Sequence, residues 1–487
     1  MQYHIASHPK PQYITRTCLI KLHQDPYFES HDSYPPLTTV ALKTLEQTLN
    51  FNHLHPTMPF TVTIIGGGIG GLALAVGLLN RGIPIQLYEA ASAFTEIGLG
   101  LSLGPAAYRA LPLLDPALRE IYDSLVTTHA DSPGYEEFRT TWFEFVWACG
   151  SDEGKVLMDL KAEPSGQTAL KRADFVNALV RLVPRDCIHF GKRLVGIEEG
   201  VDVKLEFEDG DVVNADVVIG CDGIRSRVKE FVCQSCELLP RYSGMYGYRA
   251  VLDMDDAVDA VGDKRARVAS MYVGKGAYGI SYPIMQAKKV NVGVYVLSDE
   301  WDHDSWVRPA KRGDLQRDTE GMGRYVKALA ERMPDPSQWA IFEHPHISTY
   351  ARSRVVIMGD AAHASTPHQG AGAGQAIEDA HVLAELLDDT RVKRVDDAVL
   401  AFQAYDHIRR PRSQRVVTSS KENADLLCLC LEGVSDDSVR LKETLNARFG
   451  WLWNLDVQGQ AQRAREKMAQ LMANRSSGCT DRCRHTG

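Results

Sequence analysis

The sequence predicts an α/β protein: a parallel sheet with covering helices, interrupted by a smaller mixed β-sheet and followed by a helical C-terminal region. Three observations carry that expectation. A strand, a glycine turn and a helix follow one another over residues 61–79, and the same order returns over 354–387. Between about 238 and 339 the texture changes to short β-branched and aromatic runs, so the first domain is expected to be discontinuous.

Composition bounds the rest. The chain has 487 residues, 44% hydrophobic and 24% charged, which suits a soluble globular protein of two domains. Its net charge is -9 and its basic residues are scattered, which argues against a nucleic-acid surface and in favour of small ligands. No apolar run approaches the ~18 residues of a membrane span. The ten cysteines (18, 149, 187, 221, 233, 236, 428, 430, 479 and 483) show no disulfide framework, so they read as thiols of a cytoplasmic protein. Cys233 and Cys236 have no second pair at zinc-site spacing, and no metal is expected.

Residues 1–57 lack a persistent period, carry prolines at 9, 11, 26, 35 and 36 among others and hold no signal-peptide core, so a poorly structured leader is expected, with Met58 as a later start. Residues 61–65 are a β-rich apolar run that meets Gly66-Gly67-Gly68-Ile69-Gly70-Gly71, with helical composition over 72–79 and a second strand over 83–88 ending in Glu89. Each glycine has a physical task. Gly66 permits the tight turn, Gly68 lets a pyrophosphate approach the backbone, and Gly71 allows close packing of helix and strand. Glu89, 18 positions beyond Gly71, is placed to accept hydrogen bonds from an adenosine ribose.

Residues 96–107 read as a glycine-rich loop entering a helix, and 138–147 with 155–160 as a hairpin. A short helix is expected from 171 to 183, where Arg172 reads as a surface charge. A hairpin spans 201–213, and a buried strand at 215–219 ends in the turn Gly220-Cys221-Asp222-Gly223. Such a turn is either structural or holds ligand hydroxyls. In the second domain strands are expected at 246–252, 267–273, 278–284 and 290–297, followed by one charged helix over 311–332. The strand at 354–358 then leads through Gly359, Asp360 and His363 to Pro367, Gly370, Ala371, Gly372 and Ala373, where a helix over 375–387 opens on an expected anion site. From 397 to about 472 the chain is helical by composition, and a frayed tail is expected over 474–487.

Four motifs carry a resemblance. They are GGGIGG with Glu89, Arg172 in KRADF, ADVVIGCDGIRS at 215–226, and GDAAHASTPHQGAGAGQAIEDA at 359–380. In order and spacing the chain resembles the single-component FAD-dependent aromatic hydroxylases over about 60–425, and most closely the salicylate hydroxylase group with its fungal secondary-metabolite members. The resemblance implies a Rossmann-like, glutathione-reductase-type FAD domain at 58–237 and 340–425, with a hairpin at 131–164 contributing to the substrate side. It further implies a substrate domain at 238–339 and a helical region at 426–487. It implies that Gly66, Gly68, Gly71 and Glu89 hold the adenosine half of FAD, that Arg172 contacts the cofactor and that Asp360 holds the ribityl chain. Asp222 is associated in the family with both FAD and NAD(P)H. The turn Gly370-Ala371-Gly372-Ala373 would face the flavin ring, with Pro367 beside it where oxygen reacts.

By the same resemblance the enzyme uses NAD(P)H and O2 to hydroxylate a small aromatic substrate through a flavin C4a-hydroperoxide. Arg249 is expected either to bind the substrate or to form a structural salt bridge, and Tyr282 either to orient the substrate or to pack in the core. Two alternatives stand beside this reading. One keeps FAD but epoxidises an alkene or oxidises another non-aromatic centre. The other is a non-haem iron oxygenase with His363, His368 and Asp360 as ligands, set against the simpler expectation that His363 bonds nearby backbone.

Overall fold

The computed structural model describes residues 58–93, 100–234 and 239–484, with residues 312 and 476–484 described by backbone alone. The expected leader at 1–57, residues 96–99 of the glycine-rich loop and Cys236 lie outside the described residues.

The first sheet has six strands, with Val62–Ile65 near its middle between Val217–Gly220 and Ile85–Tyr88. All four residues of Val62–Ile65 are buried, as a parallel strand covered on both faces requires. Val355–Ile357 pairs in parallel beyond Val217–Gly220, and Ala351–Arg352 closes that edge in the opposite direction. The helix after the first turn spans Ile69–Asn80, three residues earlier than the sequence suggests. Ile69, Gly70 and Gly71 therefore form its first turn, whose amides have no acceptor inside the helix. The helix Gly372–Leu387, also earlier than expected, packs against Ile69–Asn80, so both glycine turns open on one side of the sheet.

The second sheet has eight strands, ordered Val307–Pro309, Ser337–Glu343, Arg241–Asp253, Lys289–Leu297, Ala277–Ile284, Ser270–Val273, Thr141–Trp147 and Val156–Lys161. The hairpin of the first segment thus forms one edge of this sheet. Ser337–Glu343 crosses the boundary expected at 339/340, and the helix Val395–Leu427 crosses the one at 425/426.

Three other expectations are corrected. The charged helix of 311–332 is two helices, Arg312–Asp318 and Arg324–Arg332. Between them the Thr319 hydroxyl bonds back to the Leu315 carbonyl, and Gly323 lies so close to strand Thr141–Trp147 that a Cβ there would meet the Ala148 carbonyl at 2.4 Å. The strand expected at 267–273 begins only at Ser270, because Asp263–Arg267 is helical. The tail expected to fray from 474 continues the helix Val457–Arg484. The run of Gln, Ala, Arg, Glu, Lys and Met that favours the helix lies before residue 474, and the tail extends that helix.

Alternation along Arg241–Asp253 decides what each face of the second sheet does. Tyr246 and Tyr248 point outward, and both hydroxyls donate to Asp318 Oδ2, at 2.7 and 2.6 Å. That face carries a core shared with the helices Met254–Val261 and Arg324–Arg332. Gly247, Arg249 and Val251 occupy the opposite face. There Trp142, Phe143, Tyr278, Tyr282 and Tyr295 share a core with Ala371 of the second glycine turn. The inner face of the second sheet therefore meets the helix opening of the first domain.

Candidate active site

The first glycine turn is shaped by contact on one side and openness on the other. Gly66 has φ +105°, and a Cβ there would sit 2.4 Å from the Cys221 carbonyl. A Cβ on Gly71 would fall 2.1 Å from the Gly66 carbonyl, whereas one on Gly68 would meet nothing within 4 Å. The turn thus presses against the strand ends and leaves the Gly68 side clear for a phosphate. Glu89 braces it, since its Oε2 accepts from Gly67 N at 2.7 Å and its Oε1 from Ala91 N at 2.8 Å. Gly71→Ala is expected to leave the purified protein without visible flavin absorbance; full flavin content in that variant would refute the assigned contact.

Asp222 has structural work of its own. Its carboxylate accepts from Ser226 Oγ at 2.5 Å and from the amides of Arg227 and Val228 at 2.8 and 3.2 Å, which caps the helix Arg227–Cys233. Burial pushes its carboxyl above the usual range, against the pull of those hydrogen bonds. The DG turn is thereby fixed against the end of the strand that touches Gly66.

The second turn holds Asp360, Pro367 and Gly370 exposed to solvent among buried neighbours. Protein crowds Asp360 closely enough to push its carboxyl up, while His363 and Arg172 draw it down, so Arg172 lies within electrostatic reach of Asp360. Asp360 also lies beside the helix opening, since a Cβ on Gly372 would come 3.9 Å from its Oδ1. With Gly372 as the first helical residue, the amides of Gly372, Ala373 and Gly374 begin a helix whose positive end suits a negative ligand group. The two glycine cradles, the acid between them and the exposed Pro367 and Gly370 fit a flavin dinucleotide.

Beneath this turn lies an ionic knot that the sequence reading missed. Asp379 Oδ2 accepts from the Gly359 amide at 2.9 Å and pairs with His363 Nε2 at 2.6 Å, and its Oδ1 accepts from Arg409 Nε at 2.6 Å. Arg409, fully buried, also donates to Glu378, to Gln460 and to the carbonyl and side-chain oxygens of Gln375. Arg412 completes the knot on Glu378. His363 therefore bonds a carboxylate rather than the backbone partner expected. His368 bonds Tyr278, and the trio of His363, His368 and Asp360 does not assemble; among the described residues no group of three or more such side chains could hold a metal ion. A signal was present in the sequence: adjacent acids in the largely apolar run AIEDAHVLAELL, and Arg409 and Arg412 one helical turn apart around Pro411.

On the facing sheet, register sets three rows: Gly247, Tyr295 and Tyr278; Arg249, Gly293 and Ile280; Val251, Asn291 and Tyr282. Tyr278 stacks on Tyr295 at 4.8 Å, and His368 meets both rings edge-on. Tyr282 is buried edge-on against Phe143, and its hydroxyl fills the space where a Cβ of Gly100 would stand. Among the described residues Arg249 has no acidic partner for the structural salt bridge that was one of its two expected roles. Its guanidinium lies 5.7 Å from the centre of the Tyr295 ring, its Nε is buried without a partner, and the charged form is favoured first by Tyr295, then against burial by Tyr282 and Tyr278.

Comparison with known proteins gives the same picture. Residues 187–420 match the FAD binding domain family. The chain is 39% identical over 427 residues to a 6-methylsalicylate 1-monooxygenase of Aspergillus terreus, covering 86% of this chain and 94% of that one. It is 38% identical over 424 residues to a salicylate hydroxylase of Pseudomonas putida, covering 84% and 95%. Among solved structures, a salicylate hydroxylase in complex with its substrate superimposes with a TM-score of 0.75 at 31% identity, over 84% of this chain and 98% of that one.

Proposed function

The chain belongs to the FAD-dependent monooxygenases of the salicylate hydroxylase group, and from that membership we propose that its substrate is a phenol bearing a carboxylate, hydroxylated at the expense of O2 and NAD(P)H. The observation that carries the substrate class is Arg249. It is permanently charged, crowded by Tyr295, Tyr282 and Tyr278, and among the described residues no carboxylate pairs with it. A cation so placed is costly unless an anion completes it, and a planar carboxylate matches the guanidinium fork.

FAD, when bound, supplies the activation of oxygen and the delivery of one oxygen atom to an electron-rich ring. The chain's own residues bind, orient and shield. Glu89 keeps the first turn shaped for the pyrophosphate through Gly67. Asp360, with Arg172 in reach, would hold the ribityl hydroxyls, and the opening of helix Gly372–Leu387 would favour negative charge on the ring system. Arg249 would fix the substrate carboxylate while Tyr282 and Phe143 wall the ring and exclude water. The free thiols among the described residues accord with a cytoplasmic setting. Among those residues no helix is long and apolar enough to cross a membrane.

The test is to purify the protein, confirm flavin by absorbance, and compare salicylate, a 6-alkyl salicylate and the matching carboxylate-free phenols as stimulants of NAD(P)H oxidation, with product mass as the second readout. Carboxylated phenols are expected to be turned over fastest. Stimulation and oxygen incorporation only with carboxylate-free phenols or with alkenes would overturn the proposal.

A further inference from the structure

We propose that Asn291 is a specificity-determining residue: its side-chain amide donates a hydrogen bond to an oxygen substituent that lies across the substrate ring from the carboxylate. The favoured substrates are then 4-oxygenated salicylate-type acids, not acids with a bare or alkylated ring edge. The inference deepens the carboxylated-phenol reading and rests on it for the orientation of the ring.

Register puts the two residues on one face. Strand Lys289–Leu297 lies between Arg241–Asp253 and Ala277–Ile284, and within it Gly293 stands opposite Arg249 while Asn291 stands between Val251 and Tyr282. Asn291 and Arg249 are therefore diagonal neighbours on the inner face, and such neighbours stand about 7–8 Å apart at Cα, a gap that a substituted benzene ring can bridge. Gly293 adds no side chain between them. A Cβ on Gly293 would meet Ile280 Cγ2 at 2.9 Å and Tyr295 Cε2 at 3.0 Å, so those two side chains close over the glycine and form the floor.

Asn291 stands out in its strand. The valines at 290, 292 and 294 serve the outer core, and the residues that follow Asn291 on the inner face are Gly293 and Tyr295. Only 8% of Asn291 is exposed. Its Oδ1 accepts from the Gly100 amide at 3.4 Å, which fixes the orientation of the side chain, because the reversed one would set Nδ2 against that N–H. Nδ2 then has no acceptor among the described residues, yet it is not sealed from solvent as Arg249 Nε is. It opens beside Tyr282, which stands edge-on to Phe143 in the wall assigned to the substrate ring. A nearly buried donor is costly until an acceptor completes it.

Nδ2 can only donate, so the ligand atom it meets must be an acceptor. With the carboxylate held by Arg249, the ring edge that reaches Asn291 is the one opposite the carboxylate. A hydroxyl or carbonyl oxygen at that position accepts the bond, whereas a methyl group of similar size leaves the donor bare. Salicylate itself carries only hydrogen there. The sheet thus reads two ends of one ring: a charge at Arg249 and a neutral oxygen at Asn291.

The experiment titrates the holoenzyme with 2,4-dihydroxybenzoate, 4-methylsalicylate, resorcinol and 3-methylphenol, reading dissociation constants from the flavin absorbance change and then kcat/KM. The unmodified protein is expected to bind 2,4-dihydroxybenzoate about tenfold more tightly than 4-methylsalicylate. In Asn291→Leu that preference is expected to fall to about one with flavin content unchanged, and Asn291→Ala supplies the same comparison if the leucine does not fit. The intrinsic reactivity of each ring is the same in every protein, so it cancels when the ratios are compared. No hydroxyl-over-methyl preference in the unmodified protein would overturn the inference. So would an unchanged preference in both variants, which would leave Asn291 as a tether for Gly100 alone. The contrast between carboxylated and carboxylate-free ligands reads Arg249 instead. Its absence would sink the carboxylated-phenol reading, and resorcinol against 3-methylphenol would still decide the role of Asn291.

Discussion

Replacing Arg249 by Met is expected to lower kcat/KM for salicylate-type substrates by roughly 30- to 1000-fold while leaving flavin content intact. The size follows from removing one partner of a desolvated charge pair, which costs about 2–4 kcal/mol, at 1.4 kcal/mol for each factor of ten. The direction follows from the surroundings of the guanidinium: phenol rings and glycines line it, and Arg249 Nε has no protein partner. The loss should be selective. Carboxylate-free phenols gain nothing from Arg249, so their kcat/KM should change little and the preference between the two substrate types should collapse. Arg249→Lys should recover only part of the rate, because an ammonium cannot match both carboxylate oxygens at once. The measurement is kcat/KM for paired substrates in all three proteins. Equal losses on both substrate types would mean that Arg249 supports the sheet and does not read the carboxylate.

Much of this arrangement is legible in the sequence, for identifiable reasons. The glycine turn at Gly66 to Gly71 and the turn after Gly359 obey local rules, since close backbone approach and helix openings demand glycine at fixed offsets. Buried parallel strands declare themselves as apolar runs, and the return of such a run at 354–358 reveals the discontinuous domain. What the sequence withholds depends on long-range partners. Whether Arg249 meets an acid cannot be read from Tyr246 to Leu252, because the answer lies with Tyr295 on the neighbouring strand and Tyr278 on the next. The break in the helix at 319–323 answers to Ala148, more than 170 positions earlier. Glu89 shows a subtler case. The sequence places it for a ribose contact, and in the fold both its oxygens already hold backbone amides, so its carboxylate shapes the turn.

The buried knot under the second turn sets the other large effect. Arg409→Met would strand Asp379 and Glu378 without their shared cation, and breaking such a pair from one side costs about 3–5 kcal/mol, a large part of the ~5–15 kcal/mol that holds a domain together. That variant is expected to unfold or lose several degrees of thermal midpoint. Asp379→Asn is the sharper probe, because it keeps the shape and removes the charge. Burial alone would raise the Asp379 carboxyl, but His363, Arg409 and the Gly359 amide hold it at about 2, below its ordinary 3.8. A carboxyl depressed by folding contributes stability that is fully present above its unfolded pKa and is lost as pH falls through its folded one. The unmodified protein should therefore lose stability between about pH 4 and pH 2 through this group, and Asp379→Asn should lack that part of the slope while starting from a lower midpoint at neutral pH. Because the same carboxylate fixes the Gly359 amide, one residue before Asp360, the variant should also release FAD at least tenfold more readily, the scale of one charge-assisted hydrogen bond. Thermal midpoints across pH and flavin dissociation constants test both halves. A normal midpoint with normal FAD affinity in Asp379→Asn would show that the knot neither supports the fold nor positions the turn.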